Sequence, residues 1–329
     1  MTFVESSVIA EQQELQGADL AVADTSETEI RCKARRHEEF FPVHTVADAL
    51  AKPATRPPWV IEDLLLKDSA TLVSAHPHSM KSLSLLSACM EAVATKQVWK
   101  HFPAANVTRS LFIETEDPQW MVEGRVRGLA RGLGLDRDLP GFLYSCVQAF
   151  DLVEKQDEIF RLLAIHKPDF IVLSTLQSLL GGRDWLRQDQ MADVNALVVR
   201  VSRICPLIVV THSPWDKKAK RAAGTITQTA NYMTAAHYQK RDNLVHIDID
   251  SKAGAQDANF TLQLETEGDE VRGFRYVGKG WPKGQVYGAV KEAIELDTGE
   301  TNEEIAAHVG CTTRYVQKIR KQLGEQGKE

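Results

Sequence analysis

The stretch from Thr71 to Met90 constrains the fold of this chain more than any other. It reads TLVSAHPHSMKSLSLLSACM, with an apolar run that ends at Ser74, a six-residue segment that includes a proline, and the pair Lys81-Ser82 before a helical apolar pattern. A strand, a tight loop, a Lys-Ser pair and a helix are the parts of a phosphate-binding P-loop, which is usually written G-x-x-x-x-G-K-[ST]. The stretch therefore predicts a P-loop within an α/β domain, and an ordinary strand–loop–helix is the alternative.

The match to the motif is degenerate, because Ala75 and Met80 stand at its two glycine positions. Glycine normally allows the backbone to approach the phosphates closely at the second position. The chemistry also needs backbone N–H groups, a cation and a hydroxyl for Mg²⁺, and Lys81 and Ser82 supply the last two. The predicted nucleotide-binding positions are Ala75, His76, Pro77, His78, Ser79, Met80, Lys81, Ser82 and Leu83.

Length and composition fit one large α/β domain with a small module attached. The chain has 329 residues and a net charge of −6, which argues against a protein coated in nucleic acid but leaves room for local basic patches. Its five scattered cysteines form no CxxC pair, which indicates a reduced, cytoplasmic compartment. No apolar run approaches the roughly 20 residues of a membrane span, so no membrane partner is expected. Residues 1–40 are predicted to be an acidic disordered tail, with an interaction arm or a mimic of DNA phosphates as the alternative.

Carboxylates follow the next predicted strand, in SLFIETEDP. Carboxylates at the carboxyl end of a strand in an open α/β sheet lie where ligands bind, and a glutamate there can orient a water for attack on a γ-phosphate. Glu116 is therefore a candidate catalytic residue. The alternative is a helix N-terminus flanked by acidic residues, because Glu116 and Asp117 precede a predicted helix.

Two further strands carry polar ends. The strand from Asp169 to Thr175 has Ser174 where P-loop ATPases usually place an aspartate for the Mg²⁺ shell. The Ser174 hydroxyl can accept a hydrogen bond from a metal-bound water but brings no charge, so the candidate metal-site residues are Ser82, Ser174 and Asp117. The metal is then left to Ser82, the nucleotide phosphates, and Glu116 or Asp117. A later strand ends in His212, which can sense a γ-phosphate by hydrogen bonding or be a satisfied structural histidine. The run after it binds nucleic-acid phosphates or is merely solvated, and consists of Lys217, Lys218, Lys220 and Arg221.

Alternating strands from Asn243 onwards predict an antiparallel extension of the sheet, and residues 278–284 predict a linker. Beyond it, Thr301 and Glu304 form a capping box, and a basic second helix follows a turn at Gly310. This pattern is typical of a helix-turn-helix with a basic recognition helix, and a small helical protein-docking domain is the alternative. The candidate DNA contacts are Thr312, Thr313, Arg314, Gln317, Lys318, Arg320 and Lys321.

The segment from Trp59 to about Val277 resembles the RecA-like AAA family ATPases related to plasmid RepA-type hexameric replicative helicases. The pieces that carry the resemblance are WVIEDLLLKDSATLVSAHPHSMKSLSLLS, SLFIETEDP, KPDFIVLSTLQSLL, LIVVTHSPWDKKAKRAAGT and HIDIDSKAGAQDANFTLQLE. Their order and spacing match over roughly two thirds of the chain. A C-terminal helix-turn-helix is a common attachment in such proteins on plasmids, phages and mobile elements.

The resemblance implies ATP bound between neighbouring subunits of a homo-oligomeric ring or filament, with a hexamer as the expected assembly. Lys81 and Ser82 would bind phosphate and Mg²⁺, Glu116 would be the catalytic base, and His212 falls on the family's His-containing strand tip. Lys252, in the SKAG turn, falls where a neighbour-reaching Lys or Arg finger is often found. The basic loop after His212 would face a central DNA channel.

The sequence as a whole predicts a RecA-like P-loop ATPase core, with a mainly parallel sheet and an antiparallel extension, over residues 41–277, and a small all-α helix-turn-helix domain over residues 285–329. The predicted function is a DNA-acting ATPase, either a replicative helicase or a replication protein of a phage, plasmid or mobile element, with other replication proteins as partners. The alternative is a hydrolysis-weak, nucleotide-gated DNA-binding assembly or regulatory protein, because Met80 and Ser174 depart from the ATPase pattern.

Overall fold

The computed structural model describes residues 44–53, 56–185, 187–213, 231–256, 258–281, 283–296, 300–309 and 311–326. The chain divides into two compact units, Met1–Arg56 and Pro57–Glu329. In the first unit the described residues form helix α1, Val46–Leu50, which begins with a capping box between Thr45 and Asp48.

In the second unit, helices separate single strands or runs of three strands up to β9, and four further strands and three helices follow. The strands are β1 Trp59–Ile61, β2 Leu65–Leu66, β3 Ala70–Ala75, β4 Gln97–Val98, β5 Phe102–Pro103, β6 Ser110–Glu114, β7 Phe142–Cys146, β8 Phe170–Ser174, β9 Leu207–His212, β10 Thr234–Arg241, β11 Leu244–Ser251, β12 Asn259–Glu267 and β13 Glu270–Lys279. The helices are α2 Lys81–Ala94, α3 Gln119–Gly132, α4 Gln156–His166, α5 Gln188–Ile204, α6 Lys283–Glu295, α7 Asn302–Val309 and α8 Thr313–Gln326, with a 3-10 turn at Gln177–Leu179.

A nine-stranded sheet forms the centre of this unit, in the order β13-β12-β11-β10-β3-β9-β8-β6-β7. Every neighbouring pair from β10 to β7 is parallel, whereas β10 to β13 pair in antiparallel fashion. The parallel strands β3 and β8 are buried along their whole length, as expected of strands covered on both faces. The mainly parallel sheet and its antiparallel extension are therefore confirmed.

The sheet separates two apolar cores, because successive side chains of a strand point to opposite faces. On one face Val73 of β3 and Val210 of β9 pack with the apolar side chains of α2 and with Leu129 of α3. On the other face Leu72 and Val209 pack with the apolar side chains of α4 and α5. This three-layer arrangement leaves the carboxyl ends of β3, β6, β8 and β9 together at one edge of the sheet.

Strand β10 is an element that the sequence analysis did not identify. It pairs in parallel with β3 from Thr234 opposite Thr71 to Tyr238 opposite Ala75. Its buried His237 has Nδ1 3.1 Å from the hydroxyl of Ser74, so a polar side chain is accommodated next to the P-loop strand. β10 thereby joins the antiparallel strands to the parallel ones.

The three C-terminal helices pack on the β10–β11 end of the sheet. Leu244 and Trp281 are buried in the same apolar cluster as Val290 of α6, Ile305 of α7 and Ile319 of α8. Where the sequence predicts a linker over residues 278–284, Gly278 and Lys279 belong to β13 and Trp281 is 4 % exposed. The predicted domain boundaries stay predictions. Gly310, the predicted turn of the helix-turn-helix, lies outside the described residues.

None of the helices within the described ranges is long and apolar enough to cross a lipid bilayer. The cytoplasmic location inferred from the cysteine pattern stays a prediction.

Candidate functional site

The loop between β3 and α2 makes the turn that the P-loop motif requires without glycine. Helix α2 begins at Lys81, and Met80 before it adopts a left-handed conformation with φ 65° and ψ 14°. This conformation costs an ordinary residue roughly 1–2 kcal/mol. The side chain of Met80 is half-buried and packs against the apolar core beneath α2, which offsets part of that cost.

A cleft of about 500 Å³ opens above this loop at the carboxyl edge of the parallel strands. Ligands of open α/β sheets bind at this edge, and the first N–H groups of α2 have no helical partner there. The lining residues are Pro77, His78, Ser79, Met80, Lys81, Ser82, Leu83, Glu116, Asp117, Arg125, His212 and Lys240. Seven of the nine predicted nucleotide-binding positions thus line the cleft, whereas Ala75 ends β3 and His76 follows it.

Lys81 and His212 meet inside the cleft. The Lys81 ammonium lies 3.4 Å from Nδ1 of His212, and its pKa is lowered by burial while the carboxylates of Glu116 and Glu114 oppose that shift. An ammonium group only donates hydrogen bonds, so Nδ1 of His212 accepts and the ring proton sits on Nε2. That Nε2 faces Glu116, at 3.6 Å from Oε1.

Glu116 is held by hydroxyls from the segment that follows β8. Its Oε1 accepts hydrogen bonds from the hydroxyl of Thr175 and, at 3.2 Å, from that of Ser178. The pKa of Glu116 is lowered to about 2, mainly by the interaction with His212 and also by the hydrogen bond from Thr175. A carboxylate with so low a pKa remains ionised and accepts hydrogen bonds from a bound water, rather than taking up its proton at equilibrium.

Glu114 fixes the turn that presents Glu116. It ends β6 with its side chain buried, and its Oε1 accepts from the backbone N–H groups of Thr115 and Glu116 at 3.0 Å and of Asp117 at 3.5 Å. Burial raises the pKa of this carboxyl. The sequence analysis gave Glu114 no role of its own, and its position as the last residue of an apolar strand is the signal that identifies it.

Two hydroxyls meet where α2 begins and β8 ends. Oγ of Ser82, in the first turn of α2, is 2.9 Å from Oγ of Ser174, the buried last residue of β8. Asp117, the third predicted metal-binding residue, is instead paired with the guanidinium of Arg125 on α3. The structure therefore brings Ser82 and Ser174 together, whereas it gives Asp117 a cation as its partner.

A family model described as an AAA domain matches residues 34–218, which is more than half of the chain. The chain belongs to the AAA domain family. The match includes the loop before α2 with the first turn of that helix, the turn after β6, Arg125 on α3 and the end of β9, which together supply all the residues that line the cleft except Lys240. Membership identifies the α/β core as a P-loop ATPase-like domain and indicates nucleotide binding and hydrolysis as its class of activity. No match was found among curated proteins.

The remaining predicted catalytic residue of this AAA domain protein lies apart from the cleft. Lys252 is exposed in the turn after β11, where its backbone N–H donates to the carbonyl of Met233 at 2.9 Å. The basic run at Lys217, Lys218, Lys220 and Arg221 lies outside the described residues. Within the described ranges the cleft contains two cations that the sequence analysis missed, Arg125 and Lys240. The sequence offers weak support for Arg125, because it lies on the helix that directly follows the carboxylate turn. It offers none for Lys240, because β10 was not predicted.

The C-terminal helices of this AAA domain protein present a basic face. On α8, Val316 and Ile319 are buried in the apolar core between the three C-terminal helices, so the opposite side of α8 faces solvent. The exposed residues there include Arg314, Gln317, Lys318, Arg320 and Lys321. Thr312 accepts a hydrogen bond from the N–H of Tyr315 at 3.3 Å and so caps α8, while Thr313 is half-buried. The predicted capping box of α7 is present, with Thr301 N–H donating to Glu304 at 2.8 Å and Glu304 N–H donating to Thr301 at 3.2 Å.

Proposed function

We propose that this protein is a DNA-acting ATPase, either a replicative helicase or a replication protein of a phage, plasmid or mobile element. The observation that carries the proposal is the chain of contacts from Lys81 through His212 to Glu116 within the cleft above α2. These contacts connect a cation that can bind phosphate to a carboxylate that can hold the attacking water. A phosphate-binding cation and a side chain that orients the attacking water are two of the parts that hydrolysis of a nucleoside triphosphate uses.

ATP would be held by the residues that open the cleft. The N-terminus of α2 and the Lys81 ammonium favour the negative charge of the phosphates. The hydroxyl of Ser79 is buried at 4 % exposure and has no hydrogen-bond partner within the described part of the chain, so a phosphate oxygen can satisfy it. Leaving a buried polar group unsatisfied is costly, which supports a polar ligand at this place.

Mg²⁺ fits the hydroxyl pair, with Ser82 as its protein ligand and Ser174 as the acceptor for a water of its shell. The described residues contain no group of three carboxylate, histidine or cysteine side chains that would hold a metal without the nucleotide. When bound, the ion would neutralise charge that develops on the phosphates. Ser82 and Ser174 would therefore hold the ion only together with the bound nucleotide.

Glu116 would orient the attacking water, and His212 would report the nucleotide state. The ionised Glu116 offers acceptor oxygens next to the space above Lys81. A bound γ-phosphate would attract the Lys81 ammonium more strongly than Nδ1 of His212 does, because the phosphate carries a negative charge. His212 can then turn its Nε2–H towards the phosphate, which couples nucleotide binding to the position of Glu116.

Lys252 supports assembly into a homo-oligomeric ring, with a hexamer as the proposed form. It is exposed on the turn after β11 and does not belong to the cleft of its own chain. In a ring it would reach the nucleotide of a neighbouring subunit and stabilise charge in the transition state. The acidic balance of the chain is compatible with DNA held at localised basic surfaces rather than over the whole protein.

DNA binding is supported by the exposed basic face of α8, which we propose is the recognition helix of a helix-turn-helix formed with α7. The lysine and arginine side chains of such a face neutralise DNA phosphates, and exposed polar residues near its start can reach base edges. The basic loop after His212 would add phosphate contacts next to the ATPase core. Replication proteins that act at the same DNA are the expected partners.

The deciding experiment is steady-state ATP hydrolysis with and without single-stranded DNA. We expect DNA-stimulated turnover by the wild type, a loss of at least a hundredfold in Glu116→Gln, and retained nucleotide binding in that variant. Asp136→Asn is the matched control, because Asp136 is a carboxylate with 82 % side-chain exposure that does not line the cleft. A wild type that neither binds nor hydrolyses ATP would contradict the proposal.

A second candidate function is favoured by Ser174, which brings no charge where a carboxylate is usual, and by Met80. The protein would then bind nucleotide without appreciable turnover and use it to gate a DNA-bound assembly. Light scattering measures whether oligomers form when nucleotide is added. Nucleotide-dependent oligomers together with no measurable ATP hydrolysis would support this alternative.

A further inference from the structure

Lys240 reaches the cleft from a strand that lies outside the matched AAA segment. β10 runs parallel to β3 up to Tyr238, which pairs with Ala75, the last residue of β3. β10 continues for three further residues, to Arg241, and pairs with β11 along its whole length. Lys240 lies in this extension and lines the cleft beside the loop.

The direction of the Lys240 side chain follows from the period of the strand. Tyr238 is buried in the apolar core beneath α2. Side chains two residues apart in a strand share one face of the sheet. Lys240 therefore points to the α2 side, where it lines the cleft together with Lys81.

The other two cations of the cleft already have protein partners. Lys81 contacts His212, and Arg125 is paired with Asp117. Lys240 is exposed and, within the described part of the chain, makes no side-chain hydrogen bond or ion pair. An ammonium group in this position is available to an anionic ligand, for which it serves as a strong charge-assisted donor.

The next residue fixes the end of the strand to the C-terminal helices. Arg241 points to the opposite face, where its guanidinium lies 4.8 Å from the centre of the Trp281 ring and interacts with the carboxylate of Glu292 on α6. The ring of His246 also stacks on Trp281, with the ring centres 4.9 Å apart. The backbone that carries Lys240 is thus held in place by packing outside the AAA segment.

We propose that Lys240 is a second phosphate-binding cation of the nucleotide site, supplied in cis by β10. This inference rests on the proposed binding of ATP in the cleft. Lys81 and Lys240 would approach the phosphates from two directions, since they come from the helix and from the neighbouring strand. The site then depends on a segment beyond residue 218, where the family match ends.

The test is equilibrium binding of a fluorescent, non-hydrolysable ATP analogue with Mg²⁺ to the full chain. We expect Lys240→Ala to raise the Kd about tenfold and Lys240→Arg to stay within about threefold of wild type, because a charge-assisted contact is lost only in the first. The loss in Lys240→Ala should shrink as salt is added, since Lys240 is exposed.

Two variants serve as matched controls. Lys67→Ala removes the same charge from an exposed turn outside the cleft, and Gln239→Ala changes the neighbouring residue on β10, which points to the opposite face. Both should bind the analogue as the wild type does, and all four variants should melt at the wild-type temperature.

The outcomes separate the two proposals. A wild type that fails to bind the analogue overturns the nucleotide site and the role of Lys240 with it. A wild type that binds, together with a Lys240→Ala variant whose Kd equals that of Lys67→Ala, overturns the role of Lys240 alone. A Lys240→Arg variant as weak as Lys240→Ala likewise contradicts a contact that depends on charge.

Discussion

At the scale of single residues, Met80 shows how a P-loop turn is made without glycine. Its φ of 65° lies in the left-handed region, where a side chain is strained, yet its thioether is packed against the core. Two opposing terms therefore act at one position, the cost of the backbone conformation and the gain from apolar burial.

Substitutions at Met80 separate these terms. Met80→Ala loses the packing and keeps the strain, so we expect it to lower the free energy of unfolding by about 1–2 kcal/mol. Met80→Gly loses the same packing but relieves the strain, and should be about 1 kcal/mol more stable than Met80→Ala. Urea denaturation of the two variants measures the difference. Equal stabilities would show that the left-handed conformation is not retained in solution.

The contact between His212 and Glu116 predicts a pH dependence. The pKa of Glu116 is lowered from 4.5 to about 2 in the folded chain, so its ionisation stabilises the fold above about pH 4.5, and this contribution is lost as the pH falls towards 2. His212→Asn removes the largest cause of the shift and should reduce this contribution. The melting temperatures of the wild type and Glu116→Gln should therefore converge as the pH falls. The same comparison between His212→Asn and the double variant His212→Asn/Glu116→Gln should show a smaller change with pH. Thermal unfolding between pH 3 and 7 measures this, and a difference that does not change with pH would contradict it.

At the scale of elements, α3 approaches the edge of the sheet so closely that glycine is required. A Cβ at Gly132 would lie 1.7 Å from the carbonyl oxygen of Arg272, and one at Gly128 would lie 2.5 Å from that of Val271. Both carbonyls belong to β13. The antiparallel extension is thus packed directly against a helix of the ATPase core, with backbone atoms at the contact.

Alanine substitutions on α3 test this contact. Gly132→Ala must move α3 away from β13, and we expect the free energy of unfolding to fall by about 2–3 kcal/mol. Gly124→Ala, on the same helix but with open space around it, should raise stability by about 0.5–1 kcal/mol, since alanine favours the helix. Denaturant titration of the pair gives the result, and similar effects at the two positions would rule out the close approach.

Helix α8 carries a prediction for DNA binding that follows from its exposed basic face. Arg314→Ala and Lys318→Ala should each weaken binding of duplex DNA and lower the slope of log K against log salt by about one, if both residues neutralise phosphates. Lys291→Ala on α6 is the control that removes one charge elsewhere in the helical cluster. Fluorescence anisotropy at several salt concentrations provides the slopes, and an unchanged slope in both α8 variants would speak against a phosphate contact.

At the scale of the whole molecule, the cleft proposed to bind nucleotide and the basic helix α8 lie on separate elements of one compact unit. Lys81→Ala should abolish ATP turnover and leave the proposed binding of DNA by α8 largely intact, because the Lys81 ammonium lies in the cleft, in contact with His212. Parallel assays of hydrolysis and of DNA anisotropy check this, with circular dichroism to verify the fold. Loss of both activities in a folded variant would refute the separation of function.

Much of the fold and part of the site follow from local sequence patterns. The P-loop strand and helix, the carboxylate turn after β6 and the capping box of α7 were all predicted, because each depends on residues within one or two turns of chain. β10 escaped prediction since its polar residues, among them a buried His237, do not give an apolar alternation. Arg125 and Lys240 were missed as cleft residues for the related reason that nothing local relates them to Lys81.

The sequence by itself determined that this chain has a Lys-Ser loop between a strand and a helix, carboxylates after the next strand and a basic C-terminal helix. Only the tertiary structure decided which of these groups meet. Lys81 and His212 are 131 residues apart and come into contact because β9 lies beside β3, and Ser82 meets Ser174 from 92 residues away. The order of parallel strands sets these contacts, and that order depends on how both faces of the sheet are covered by helices rather than on any single segment.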